Sequence, residues 1–182
     1  MPQYAAFLRA VNLGSRRRVT SAELRKLFEG LGFDDVATFR TSGNVAFSSK
    51  RESTAKLTGR IEAGLAEALG YEVPIFLRTE KEMRALAEHR PFDPKLLRVS
   101  KGKLQVSLLS KRPAKTAAKA VLALATDEDR LAFGDRELYW LPSAGTLDSS
   151  LDRRAIAELL GPTTMRTKGT LEQLAAKYFG AR

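Results

Sequence analysis

The stretch "VATFRTSGNVAFSS", residues 36–49, decides how this chain is read. Two short runs rich in β-branched and aromatic residues flank Ser42-Gly43, the pattern of a β-hairpin closed by a glycine-containing turn. Upstream, Thr20 and Glu23 have the spacing of a capping box, and Leu24, Leu27, Phe28 and Leu31 follow at helical spacing before Gly32. Before that helix, "YAAFLRAV" (Tyr4–Val11) is short and apolar enough for a buried strand. Downstream, Leu57, Ile61, Leu65, Ala68 and Leu69 mark a second amphipathic helix ending at Gly70, and "VPIFLR" supplies a fourth strand. The order is βαββαβ, the ferredoxin-like arrangement.

The order then begins again. Thr79 and Glu82 form a second capping box, so a helix is expected from about Glu80 to Glu88 before "HRPFDPK" breaks it. Leu104, Val106 and Leu108 alternate with Gln105 and Ser107 as a half-buried strand, and Ala117, Val121, Leu124 and Ala125 give a helix face. "RLAF" and "ELYWL" surround a turn at Gly134-Asp135. Leu151, Ala155, Ile156, Leu159 and Leu160 predict a helix closed by Gly161-Pro162, "TTMRT" a last strand, and Leu171, Leu174, Ala175, Tyr178 and Phe179 a final helix. The expected fold is α+β: two ferredoxin-like lobes related by structural duplication, with antiparallel sheets and helices on one face. Residues 1–79 form the first lobe, 80–100 a connecting helix and linker, and 101–182 the second lobe with an extra C-terminal helix. The first strand is apolar on both faces, which predicts a covered sheet.

Composition narrows the functional classes. A chain of 182 residues, 43% of them hydrophobic, is long enough for one full core or two small ones. No run approaches the roughly 18 apolar residues of a membrane span, and Arg9 and Asn12 interrupt the segment where a signal peptide needs an apolar core. A soluble, cytoplasmic protein with no membrane partner is expected. There is no cysteine, hence no thiolate metal site or thiol nucleophile. The lone His89 stands at a helix end without a partner at catalytic spacing, and Asp34-Asp35 and Asp127–Asp129 read as turn or cap residues, so no metal, cofactor or catalytic residue is expected. Phosphate-loop and dinucleotide fingerprints are both absent. Lys and Arg number 31 against 21 acids, a formal charge of +10, concentrated in two acid-free segments. One holds Arg9 and Arg16–Arg18; the other, between Asp93 and Asp127, holds Lys95, Arg98, Lys101, Lys103, Lys111, Arg112, Lys115 and Lys119. Such fields gather anions, including nucleic acid and phosphorylated metabolites, or else form a solvated surface. In an RNA-recognition domain aromatic strand residues stack on bases, whereas Phe7, Phe39 and Phe47 here are expected to pack as core.

One constellation stands out. If strands one and three pair antiparallel, Arg9 and Asn12 at the end of the first approach Ser42-Gly43-Asn44 at the start of the third. These residues either bind a ligand, or cap turns and close the hairpin. In "LRAVNLGS", "SAELRKLFEGLGF" and "TFRTSGNVAFSS" the chain resembles a bacterial family of uncharacterised proteins, DUF1697, whose pattern runs R-G-I-N-x-G-G, then a helix with A-E-L, then T-x-x-x-S-G-N-V-x-F. Arg9, Asn12, Gly14, Ser42, Gly43 and Asn44 carry the family's positions, while Ala10, Val11 and Ser15 stand where Gly, Ile and the second Gly are usual. The family ending is like T-x-R-N-W-N-T; Thr164, Arg166 and Thr170 fit it, and Thr167, Lys168 and Gly169 depart. The resemblance therefore implies ligand-binding positions at Arg9, Asn12, Gly14, Ser42, Gly43, Asn44 and Arg166, and brings no activity with it. The leading expectation is non-catalytic binding of an anionic partner, nucleic acid or a phosphorylated small molecule. The alternatives are an enzyme acting on an anionic small molecule in an inter-lobe cleft, oriented by Arg9, Asn12 and Asn44, and a scaffold that docks a protein on a sheet face.

Overall fold

A computed structural model describes residues 1–10, 18–40 and 43–180. They form two compact units, one of Met1–Arg84 with Leu174–Arg182, the other of Ala85–Gln173. Residues 174–180, late in sequence, thus group with the first unit.

The first unit contains β1 (Gln3–Leu8), α1 (Ser21–Gly30), β2 (Asp34–Thr38), β3 (Asn44–Ser48), α2 (Thr54–Leu69) and β4 (Ile75–Thr79). Its antiparallel sheet has the order β2-β3-β1-β4, so the apolar β1 lies inside and β2 and β4 are edges. The capping box at α1 is made: the Glu23 amide donates to Thr20 Oγ1 at 3.1 Å and the Thr20 amide to Glu23 Oε2 at 2.8 Å. The bonds that Thr20 donates to the exposed Glu23 carboxyl, from its amide and, at 2.7 Å, from its hydroxyl, hold that carboxyl below its ordinary range. After α1 the chain reverses at Gly32, and after α2 at Gly70, both at positive φ, as helix-ending glycines do. Tyr4, Ala6, Leu8, Val45 and Phe47 meet Leu24, Phe28, Leu57, Ile61 and Leu65 in the core under the helices. Phe47 lies 4.6 Å from Phe33 and 5.4 Å from Phe28, centroid to centroid. On the opposite sheet face Ala5, Phe7, Asn44, Ala46, Phe76 and Arg78 are also buried, so the sheet is covered on both sides.

Helix α3 (Glu80–Glu88) opens with the second capping box, Thr79 and Glu82 bonding reciprocally at 2.8 and 3.3 Å. The stretch read as a break holds a further short helix, α4 (Pro94–Val99). Asp93 caps it by accepting from the Lys95 amide at 2.7 Å, and Pro94, which lacks an amide proton, costs nothing at the first helical position. Next come β5 (Gln105–Leu109), α5 (Lys115–Leu122), β6 (Asp129–Phe133), β7 (Glu137–Pro142), α6 (Arg153–Leu160), β8 (Thr163–Thr167) and α7 (Lys168–Phe179). The second sheet, β6-β7-β5-β8, repeats the strand order of the first. The helical face read as continuing through Ala125 stops at Leu122, where the Leu124 and Ala125 amides turn back to Val121 and Leu122 carbonyls.

β5 departs from simple alternation. Val106 and Leu108 are buried, but so are Leu109 and Gln105, because Leu109 and Leu138 pack under Val121 of α5 while Gln105 Nε2 donates to the Lys103 carbonyl at 2.8 Å. Asp129 is no surface turn residue either. It is 2% exposed, and its Oδ1 accepts from Trp140 Nε1 and Ser149 Oγ, each at 2.7 Å. Among the described residues no helix is long and apolar enough to cross a membrane.

Candidate functional site

Antiparallel pairing brings three of the sequence-derived positions to one end of the first unit's sheet. Phe7 pairs with Asn44, and the Leu8 amide donates to the Gly43 carbonyl at 2.8 Å, so Arg9 follows directly beside the hairpin. The Arg9 amide donates to the Pro74 carbonyl at 3.0 Å, which anchors its backbone to the approach of β4, and the residue itself is exposed. Asn44 is 1% exposed and closes the hairpin: its Nδ2 donates to the Phe39 carbonyl at 2.9 Å while the Phe39 amide donates to the Asn44 carbonyl at 2.9 Å. Asn12, Gly14 and Ser42 lie outside the described residues, as do Arg16 and Arg17. Arg18 is exposed.

The backbone at this end is unusual. Ala10 has φ +59°, Arg40 φ +58° and Gly43 φ +68°. Only glycine enters that region without steric cost, so the position where the DUF1697 pattern has glycine and this chain has Ala10 is one whose geometry calls for glycine. Departures of this kind are concentrated where structure holds a ligand or a switch.

Arg166 belongs to the second unit, on edge strand β8. Its Nη1 donates to Thr164 Oγ1 and to the Met165 carbonyl, both at 2.8 Å, and burial lowers the guanidinium to about 10, still cationic at neutral pH. Two residues on lies Lys168. It is buried, with Nζ donating to the Ala87 carbonyl at 2.7 Å and to Glu172 Oε1 at 2.8 Å. Burial lowers its pKa, and the bond to Glu172 offsets part of that. His89 is exposed, its ring centroid 4.9 Å from that of Tyr139. Among the described residues no group of three or more His, Cys, Asp and Glu is arranged to hold a metal ion.

The cations of the long acid-free segment all lie at the surface: Lys95, Arg98, Lys101, Lys103, Lys111, Arg112, Lys115 and Lys119 are exposed, while β5 between them is largely buried. Arg112 is paired, its Nε donating to Asp135 Oδ1 at 2.6 Å. Helix α5 starts within the segment at Lys115, and its N-cap residue, Ala114, has no side-chain cap to give.

A second group in the first unit escaped sequence reasoning. Phe7 and Phe47 are core, as read, but Phe39 is only half-buried and meets Tyr178 of α7 edge to face, at 6.3 Å and 85°. Arg40 and Lys177 stand over these rings. The signal available was the pairing of each aromatic with an adjacent cation, Phe39-Arg40 and Lys177-Tyr178.

Comparison with known proteins agrees with this architecture. The family model described as "Protein of unknown function (DUF1697)" matches residues 1–139. The solved structure of conserved bacterial protein SP0830 from Streptococcus pneumoniae is similar in fold, with a TM-score of 0.74 at 20% identity, over 98% of this chain and 98% of that one. No curated protein matches.

Proposed function

Because the chain belongs to the DUF1697 family, whose description supplies no reaction, we propose from its own residues that it is a non-catalytic binder of nucleic acid. The observation that supports this reading is the exposed acid-free segment of the second unit. Eight exposed cations within one stretch of chain suit a polymer of phosphates better than a single small anion, because each contact neutralises one phosphate and releases its counterions. Within that segment, the first-turn amides of α5 carry no side-chain cap, and such amides together with the positive end of the helix dipole favour phosphate oxygens. Lys111 and Lys115 flank that helix start.

A second reading, a phosphorylated small molecule at the sheet end of the first unit, draws on the positive φ angles of Ala10 and Arg40 beside exposed Arg9. Against its enzymatic version weighs Asn44, whose Nδ2 is engaged in closing the hairpin.

Fluorescence anisotropy with labelled single-stranded and duplex oligonucleotides at about 50 mM salt, where phosphate contacts are strong, separates the two readings. Micromolar binding that collapses in the triple variant Lys111→Gln, Lys115→Gln, Lys119→Gln and survives Arg9→Gln is expected. Absence of binding to either oligonucleotide refutes the proposal.

A further inference from the structure

The aromatic and cationic group of the first unit has the chemistry to engage the unpaired bases of a strand. We propose that Phe39 and Tyr178 form a stacking step for single-stranded nucleic acid, with Arg40 and Lys177 meeting its phosphates; this rests on the nucleic-acid reading above. The two rings are both half-buried, and in their edge-to-face contact the edge of one meets a single face of the other, so each ring keeps a face that the other does not touch. Each sits on a hydrogen-bonded stretch of backbone. Phe39 is fixed by its reciprocal bonds with Asn44. Tyr178 rides on the last turn of α7, whose terminal carbonyls are capped by Arg84, Nε donating to the Phe179 carbonyl at 2.7 Å.

The cations are placed by equally specific geometry. Arg40 takes a left-handed backbone, φ +58°, and its guanidinium carbon lies 5.6 Å from the Phe39 centroid. Lys177 Nζ lies 5.9 Å from the Phe39 centroid and 5.2 Å from that of Tyr178. Two cations beside two half-buried rings give the charge complementarity and π surface that non-specific strand binders combine.

A base leaving the stack has somewhere to go. Lys177 and Tyr178 form one wall of a groove of about 500 Å³, within the roughly 300–1,000 Å³ range of ligand sites. Ala37 and Ala46, paired across β2 and β3, line its floor, where larger side chains would fill it. Asp35, at φ +51° beside a register shift in β2, stands at the groove with a carboxylate able to accept from the exocyclic amine of a base such as cytosine.

The test uses the full chain, a labelled cytosine strand and a duplex. Stacking contributes about five- to a hundredfold per base, and it is blind to salt and lost in a duplex. Phe39→Leu and Tyr178→Leu, which keep apolar bulk without a π face, should each weaken strand binding at least about fivefold. Duplex binding and the salt slope should stay unchanged. Arg40→Gln and Lys177→Gln should instead lower the single-strand salt slope by about 0.7 each. As a check free of substitution, a 2-aminopurine placed in the strand should be quenched on binding the parent protein. If the parent binds the strand but the aromatic variants bind it equally well, or 2-aminopurine emission does not change, the stacking step is wrong and the nucleic-acid reading stands. If the parent binds neither strand nor duplex, both fall together.

Discussion

Replacing Asp129 by alanine should destabilise the second unit by about 3 kcal/mol, and the structure shows where that comes from. The carboxylate accepts from Trp140 Nε1 and Ser149 Oγ at 2.7 Å each, in a site where Trp140 is 4% exposed. Alanine would leave the indole N–H without a partner and out of reach of water, a cost of about 1–3 kcal/mol, and would add the loss of the Ser149 bond, about 1 kcal/mol. Ser149 in turn accepts from the Leu151 amide at 3.0 Å, so the loop leading into α6 loses its tie to the sheet. Asp129→Asn keeps an acceptor oxygen and loses only charge assistance, so about 1 kcal/mol is expected. Trp140, the sole tryptophan, reports unfolding at the site through its fluorescence. With a urea slope of about 1–3 kcal/mol/M, the alanine variant should melt about 1–3 M earlier. In a double-mutant cycle read by circular dichroism, Trp140→Phe should remove much of the sensitivity to Asp129→Ala. An alanine variant that melts with the parent, or no earlier than Asp129→Asn, would refute the reasoning.

Ala10→Gly should raise stability by about 1 kcal/mol, since alanine at φ +59° carries a Cβ penalty of about 1–2 kcal/mol that exceeds the entropy glycine adds to the unfolded chain; thermal melts check this, and an unchanged or lower midpoint contradicts it. Lys168 supplies a pH dependence. Burial depresses its folded pKa below the unfolded 10.5, so its contribution to stability is fullest above 10.5 and is lost as pH falls through the folded value. Urea midpoints of the parent relative to Lys168→Met should therefore rise as pH climbs towards 10.5, and a flat or falling difference would dismiss the effect.

Much of the architecture was legible because a few residues punctuate it. Thr20 and Thr79 with their partner glutamates, Gly32, Gly70 and Gly161, and Gly43 just before β3 act through local backbone chemistry that a linear reading captures. What escaped was set by the third dimension. Asp129 looks like one acid in a turn-rich run, and only the crossing of Trp140 and Ser149 makes it a buried acceptor. Gln105 reads as an outward residue, yet both faces of β5 are buried. At the candidate site, spacing and resemblance brought Arg9, Gly43 and Asn44 together because strand pairing is a matter of register. Phe39 differs from Phe7 and Phe47 in sequence only by the adjacent Arg40, and its partner Tyr178 stands at the far end of the chain, so their edge-to-face contact is visible only in the fold.

The central claim is that phosphate contacts by the exposed lysines hold a nucleic acid. Its most direct test is the affinity of the full chain for a single strand measured between about 50 and 200 mM salt, for the parent and for the Lys111→Gln, Lys115→Gln, Lys119→Gln variant. A linear fall of log K with log salt, with a slope shallower by about 2 in the variant, is the predicted result. A slope that is the same in both proteins, or binding indifferent to salt, would contradict it.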